Sequence, residues 1–175
     1  MNAADIKSMI ERYQITDCHN GNIGIYNTKG ITQEEVRTIK AAKPEILAYF
    51  AAEREAQEAE QEWRRRNFEA IEGLVELRDA RAARAKWQRE FNRIMERGDS
   101  IFPAAPTADV KALETKYPAA VFALSMEQRN YGSNYELAAM AKRAYDALCD
   151  GQDWQEVKAT YDAENSAFTE RHSWD

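Results

Sequence analysis

From Pro44 to Arg97 the chain contains no second proline and a single glycine, Gly73, and this constrains its fold more than any other feature. A stretch so free of helix breakers, and so rich in Ala, Glu and Arg, reads as helix. As one piece, 44–97 would form a rod roughly 80 Å long at about 1.5 Å per residue. Glycine costs about 1 kcal/mol against Ala inside a helix, so a break near Gly73 is the competing reading, and the pattern leaves the choice open. Residues 53–62, "EREAQEAEQE", hold five Glu, one Arg and no large apolar side chain. A helix solvated on every side is a spacer rather than a core element.

Further along, Leu77, Ala80, Ala83, Trp87, Phe91, Ile94 and Met95 share one face of a helical wheel, with Arg84 near its edge. Arg78, Arg81, Lys86, Arg89, Arg93 and Arg97 fall opposite. The apolar face must pack on the C-terminal helices or on a second copy, but its spacing is not a clean heptad and does not predict a long coiled coil. Arg64, Arg65 and Arg66, beside Trp63 and Phe68, add guanidinium and aromatic character. These basic residues have two readings. They meet phosphates or an acidic protein surface, or they form a solvated face paired with acidic segments of the same chain.

The charge distribution sharpens that choice without deciding it. Residues 1–63 carry 7 basic and 11 acidic groups, 64–97 carry 10 and 6, and 98–175 carry 7 and 13, so one basic segment lies between two acidic ones in a chain of net charge −6. Such asymmetry bears on partners more than the total does. No window is long and apolar enough to predict a membrane span. The start, MNAADIKSMIERYQ, lacks the basic-then-apolar pattern of a signal peptide. The two cysteines, Cys18 and Cys149, are far apart and do not form a disulfide framework. A cytoplasmic, reducing setting is the expectation.

Toward the N-terminus, Ile6, Met9, Ile10 and Tyr13 predict a short amphipathic helix over 4–13. Asn20-Gly21, between short apolar runs, predicts a hairpin with strands near 14–18 and 23–27, because both turn positions tolerate positive φ. Thr32 with Glu35 is a capping box that opens a helix through Val36 and Ile39 to about Ala42. Pro44 suits the first turn of the next, whose apolar residues are Ile46, Leu47 and Phe50. A two-stranded hairpin is marginal alone, so the three helices must cover it.

The run GNIGIYNTKGITQEEVRTIKAAKPEILAYF resembles the TubC-type N-terminal docking domain, in which a hairpin precedes a Thr-x-Glu helix start and a Leu-Lys-x-x-Lys-x-Glu-Ile-Leu-x-x-Leu motif. The matching positions are Ile39, Lys40, Lys43, Glu45, Ile46, Leu47 and Phe50, within residues 4–52. Pro44 departs from the pattern. The resemblance implies a homodimeric docking adaptor whose hairpin edge, at Ile23, Ile25 and Tyr26, takes a partner peptide by strand addition. The residues alone also allow the hairpin to be simply the lid of a small core.

After GDSIFPAAP (98–106), the clearest boundary, Thr107 predicts the cap of a short helix with Val110 and Leu113, ending near Lys116 because Pro118 disfavours helix in Tyr117. Pro118 opens a helix with Val121, Phe122 and Leu124. Asn134 caps another, with Tyr135, Leu137, Ala138, Ala141, Tyr145 and Leu148 as its buried side. Asp153 and Glu156 form a second capping box before Val157, Tyr161 and Phe168. LETKYPAAVFAL with NYELAAMAKRAYDALCDGQDW is similar to uncharacterised accessory proteins of bacterial phages and conjugative elements. That resemblance implies a mobile-element protein, in a setting that includes anti-CRISPR inhibitors of Cas nuclease complexes.

Nothing in the pattern specifies catalysis. Cys18-His19 would point to opposite faces of a strand, and a thiolate nucleophile needs its base in contact. Two Cys and two His do not show zinc-ligand spacing. No phosphate-binding glycine loop, HExxH or nucleophile elbow occurs. The expectation is a mainly α protein with one small N-terminal hairpin: an αββαα module over 1–52, a long charged connecting helix over 53–98 and a helical bundle over 99–175. It is read as a homodimeric binding protein without cofactor or metal, with a Cas effector complex as target. The alternatives are a nucleic-acid-binding accessory factor that contacts DNA or RNA through the Arg-rich face, and the docking adaptor.

Overall fold

Short-range polar signals place most element ends in the computed structural model, which describes residues 2–98 and 101–172. Asn2 caps α1 (Ala3–Tyr13) reciprocally with Asp5, and Thr32 caps α2 (Gln33–Ala41) reciprocally with Glu35. Between them β1 (Ile15–Asp17) and β2 (Ile23–Ile25) pair antiparallel, with Ile15 opposite Ile25 and Asp17 opposite Ile23. The turn is not the Asn20-Gly21 pair alone, since the left-handed residues are His19 and Gly21 (φ 58° and 76°). Asp17 Oδ1 and Asn20 Oδ1 hold this loop by accepting from the amides of His19 and Asn22.

Pro44 sits in the first turn of α3 (Lys43–Glu69). Ile6, Tyr13, Ile15, Ile39, Ala42 and Ile46 form the first core, so all three helices cover the hairpin. Full burial of side chains such as Ile39 and Ile46 stabilises by roughly 1.5–3 kcal/mol each. Glu35 ties this unit together. Its carboxylate accepts from the Thr32 amide, the Tyr13 hydroxyl (2.7 Å) and Arg12 (3.0 Å).

The rod does not continue from 44 to 97. α3 ends at Glu69, and α4 (Leu74–Arg97) starts after Gly73, whose φ of 74° no helix accommodates. The Tyr117 ring lies against Gly73, where a Cβ would come within 2.1 Å of Cγ. The chain forms two compact units, Met1–Glu62 and Trp63–Asp175, where the sequence suggested three segments. The charged stretch 53–98 is therefore not one element. Residues 53–61 are exposed helix, whereas Phe68, Leu74 and Leu77 enter the second core.

That second core is built by α5 (Val110–Lys116), α6 (Pro118–Arg129), α7 (Tyr135–Cys149) and α8 (Trp154–His172) with the start of α4. Pro118 occupies the first turn of α6, and Asn134 caps α7 through the Leu137 amide. Three expectations fail locally. Asp109, not Thr107, caps α5. Tyr135 is 87% exposed, and Met140, Ala144 and Cys149 are buried with Ala141 and Leu148 instead. Asp153 Oδ1 takes the amides of both Gln155 and Glu156, with no reciprocal bond from Glu156. Of the boundary 98–106, Asp99 and Ser100 lie outside the described residues. Among the described residues, no helix is long and apolar enough to cross a membrane.

Candidate nucleic-acid interface

α4 has two halves with different surroundings. In the first, Leu74, Leu77 and Ala80 are buried. Beyond Ala80 the predicted apolar face is not covered in the same way. Ala83 is exposed, Trp87, Phe91 and Ile94 are half-buried, and Met95 is 56% exposed. The partial cover comes from the connection to α5. Phe102 packs on Phe91 with ring centroids 5.0 Å apart, Phe91 stacks on Trp87 at 5.1 Å, and Trp87 Nε1 donates to the Pro103 carbonyl at 3.0 Å. The Arg84 guanidinium lies 4.9 Å from the centre of the Trp87 ring.

The predicted basic residues divide at the same place. Arg64 bonds Asp146 at 2.7 Å and approaches Asp150 at 3.5 Å. Arg65 pairs with Glu69, and Arg66 is not free either. Arg78 meets Glu127 and Glu69. Arg81 places Nη2 and Nε at 2.6 and 3.0 Å from one Glu114 oxygen. Arg64, Arg78 and Arg81 join α3 and α4 to the bundle, as the intramolecular reading expects. Lys86, Arg89, Arg93 and Arg97 do not follow it. All four are exposed and have no ion-pair partner among the described residues. Over 84–97 five basic side chains face two acidic ones, Glu90 and Glu96.

Such a helix end presents point charges and guanidinium forks to solvent on the side opposite its half-buried aromatic stripe. It suits contacts to phosphates, to which Arg binds bidentately. The exposed Met95 and the flanking Ile101 extend the apolar margin.

The hairpin is a weaker site than its sequence suggests. Ile23 and Ile25 pack their side chains against the first core, leaving Tyr26, 72% exposed, as its free side chain. The register makes Asp17–Ile23 and Ile15–Ile25 the pairs whose main-chain groups point away from each other, so β2 keeps an outer edge in a two-stranded sheet. The Cys18-His19 pair resolves into separate environments. His19 Nδ1 is 3.2 Å from Arg54 Nη1, and Arg54 also pairs with Asp17. The Cys18 thiol is exposed, while burial pushes the Cys149 thiol above its ordinary pKa. Among the described residues, no group of three His, Cys, Asp or Glu side chains is placed to hold a metal.

Compared with protein-family models, curated proteins and solved structures, the chain shows no match.

Proposed function

We propose that this is a non-catalytic, cytoplasmic binding protein that contacts nucleic acid through the distal half of α4. One observation carries the reading. The fold neutralises Arg64, Arg78 and Arg81 with its own carboxylates but leaves Lys86, Arg89, Arg93 and Arg97 without an ion-pair partner among the described residues on one exposed helix end. If the basic face were only structural, its outer half would be paired like its inner half. In the mobile-element reading, the nucleic acid is the guide or target strand of a host defence nucleoprotein such as a Cas effector complex, and the contact inhibits it.

The test is fluorescence anisotropy with a labelled single-stranded 30-mer and the intact protein. Four phosphate contacts at a slope of about −0.7 per contact predict roughly a 50-fold affinity loss between 50 and 200 mM salt. Replacing Arg89, Arg93 and Arg97 together with Gln flattens that slope and removes most binding. No binding at 50 mM salt, or equal binding by the triple variant, would refute the proposal.

The open outer edge of β2 beside exposed Tyr26 favours a second reading, strand addition by a partner peptide. Tyr26→Ala then weakens capture of that peptide, and salt leaves capture unchanged.

A further inference from the structure

We infer that the groove between α5, α6 and α8 binds a small amphiphilic monoanion, a carboxylate carried on an apolar body. This site is independent of α4. The groove measures about 760 Å³ and is floored by Val121, Phe122 and Met126, and a space of this size fits the roughly 300–1,000 Å³ of small-molecule sites.

Its polar wall is unbalanced. Two carboxylates border it, and both are already engaged: Glu114 by Arg81 and Asp162 by Lys158. Lys111 and Arg129 line the same groove and have no carboxylate partner among the described residues. The groove therefore carries uncompensated positive charge over an apolar floor. Its two engaged carboxylates disfavour a polyanion and leave room for a single negative charge.

Tyr161 makes the site specific. It is only 6% exposed and lines the groove. Its hydroxyl oxygen accepts from Arg129 Nη1 at 3.0 Å, while its own hydrogen meets no acceptor among the described residues. A phenol hydrogen left without a protein acceptor can turn to one that enters from solvent. At this groove the acceptor is water or a bound anion. A carboxylate supplies it, taking the Tyr161 hydrogen and the remaining guanidinium hydrogens of Arg129 together in charge-assisted bonds. Lys111 adds attraction, and the apolar body lies on Val121 and Phe122.

Titrating the full chain with octanoate and, separately, with octan-1-ol, followed by amide chemical shifts, tests this. Octanoate is expected to move the amides of Ser125, Arg129, Lys158 and Tyr161, and to bind on the order of tenfold or more tighter than the alcohol. Tyr161→Phe keeps the buried ring, and Arg129→Gln changes an exposed side chain. Each is expected to weaken octanoate about tenfold while leaving the far-UV spectrum intact. Equal affinity for acid and alcohol, shifts confined to another region, or wild-type octanoate binding by both variants would overturn the assignment.

Discussion

Replacing Gly73 with Ala tests why the long basic stretch is two helices rather than one. The structure gives two penalties. Gly73 holds φ at 74°, where an L-residue costs roughly 1–2 kcal/mol. The new Cβ would stand 2.1 Å from Tyr117 Cγ and 2.3 and 2.5 Å from the two ring δ carbons. Carbon atoms settle at about 3.5 Å, so the ring must retreat by more than an ångström. Overpacking of that kind costs roughly 1–3 kcal/mol. The total is about 2–5 kcal/mol of destabilisation.

A rod with helix running through position 73 predicts the opposite sign, a gain of about 1 kcal/mol. Urea unfolding followed by tryptophan emission is the suitable assay. Among the described residues the tryptophans are Trp63, Trp87 and Trp154, all in the second unit, so their signal reports that unit. With a slope of about 2 kcal/mol per molar urea, the midpoint falls by about 1–2.5 M. In a Tyr117→Ala background the substitution retains only its backbone cost, and the cycle isolates the steric part. An unchanged or raised midpoint for Gly73→Ala would refute the account of the break.

Other outcomes follow from single contacts. Hydrogen bonds from the Thr32 amide, the Tyr13 hydroxyl and the Thr32 hydroxyl, with Arg12 nearby, hold the Glu35 carboxyl down to about 2. Its folded pKa is depressed, so its contribution is complete above the usual 4.5 and disappears as pH falls toward 2. Amide exchange in residues 1–62 should accelerate across that window, and Glu35→Gln should reduce the pH dependence. Thr32→Ala should cost about 1 kcal/mol, read from the same exchange rates. An aromatic disulfide reagent should label Cys18 rapidly and Cys149 only after unfolding, because Cys149 is buried and its thiolate is disfavoured. Arg81→Gln should leave oligonucleotide affinity unchanged, because Glu114 already neutralises that guanidinium.

The features legible in the sequence are those whose physics spans three or four residues. Thr32 with Glu35, Asn134 with the Leu137 amide, and Pro118 in a first helical turn each bond or constrain their immediate neighbours, so spacing suffices to find them. Helix faces were legible only where a later segment came to cover them. α4 carries an unbroken apolar stripe to Met95, but α5 and α6 pack on its first turns alone, and burial stops at Ala80. The same holds for charge. Whether an arginine is free depends on carboxylates far along the chain: Arg81 finds Glu114 33 residues away, and Arg64 finds Asp146 82 residues away. No periodicity separates them from Arg89 or Arg93. Tyr161 read as a core residue, and so it is, but the partner its hydroxyl finds depends on what three helices bring to one groove.

α3 buries Ile46 in one core and Phe68 in the other, while its middle turns from Glu53 to Gln61 bury nothing. Those turns bury no apolar side chain, although Arg54 at their start pairs with Asp17, so a cut near residue 57 would sever the polypeptide without opening either hydrophobic interior. Each fragment would keep its own core, so producing the two separately would let each candidate surface be assayed without the other.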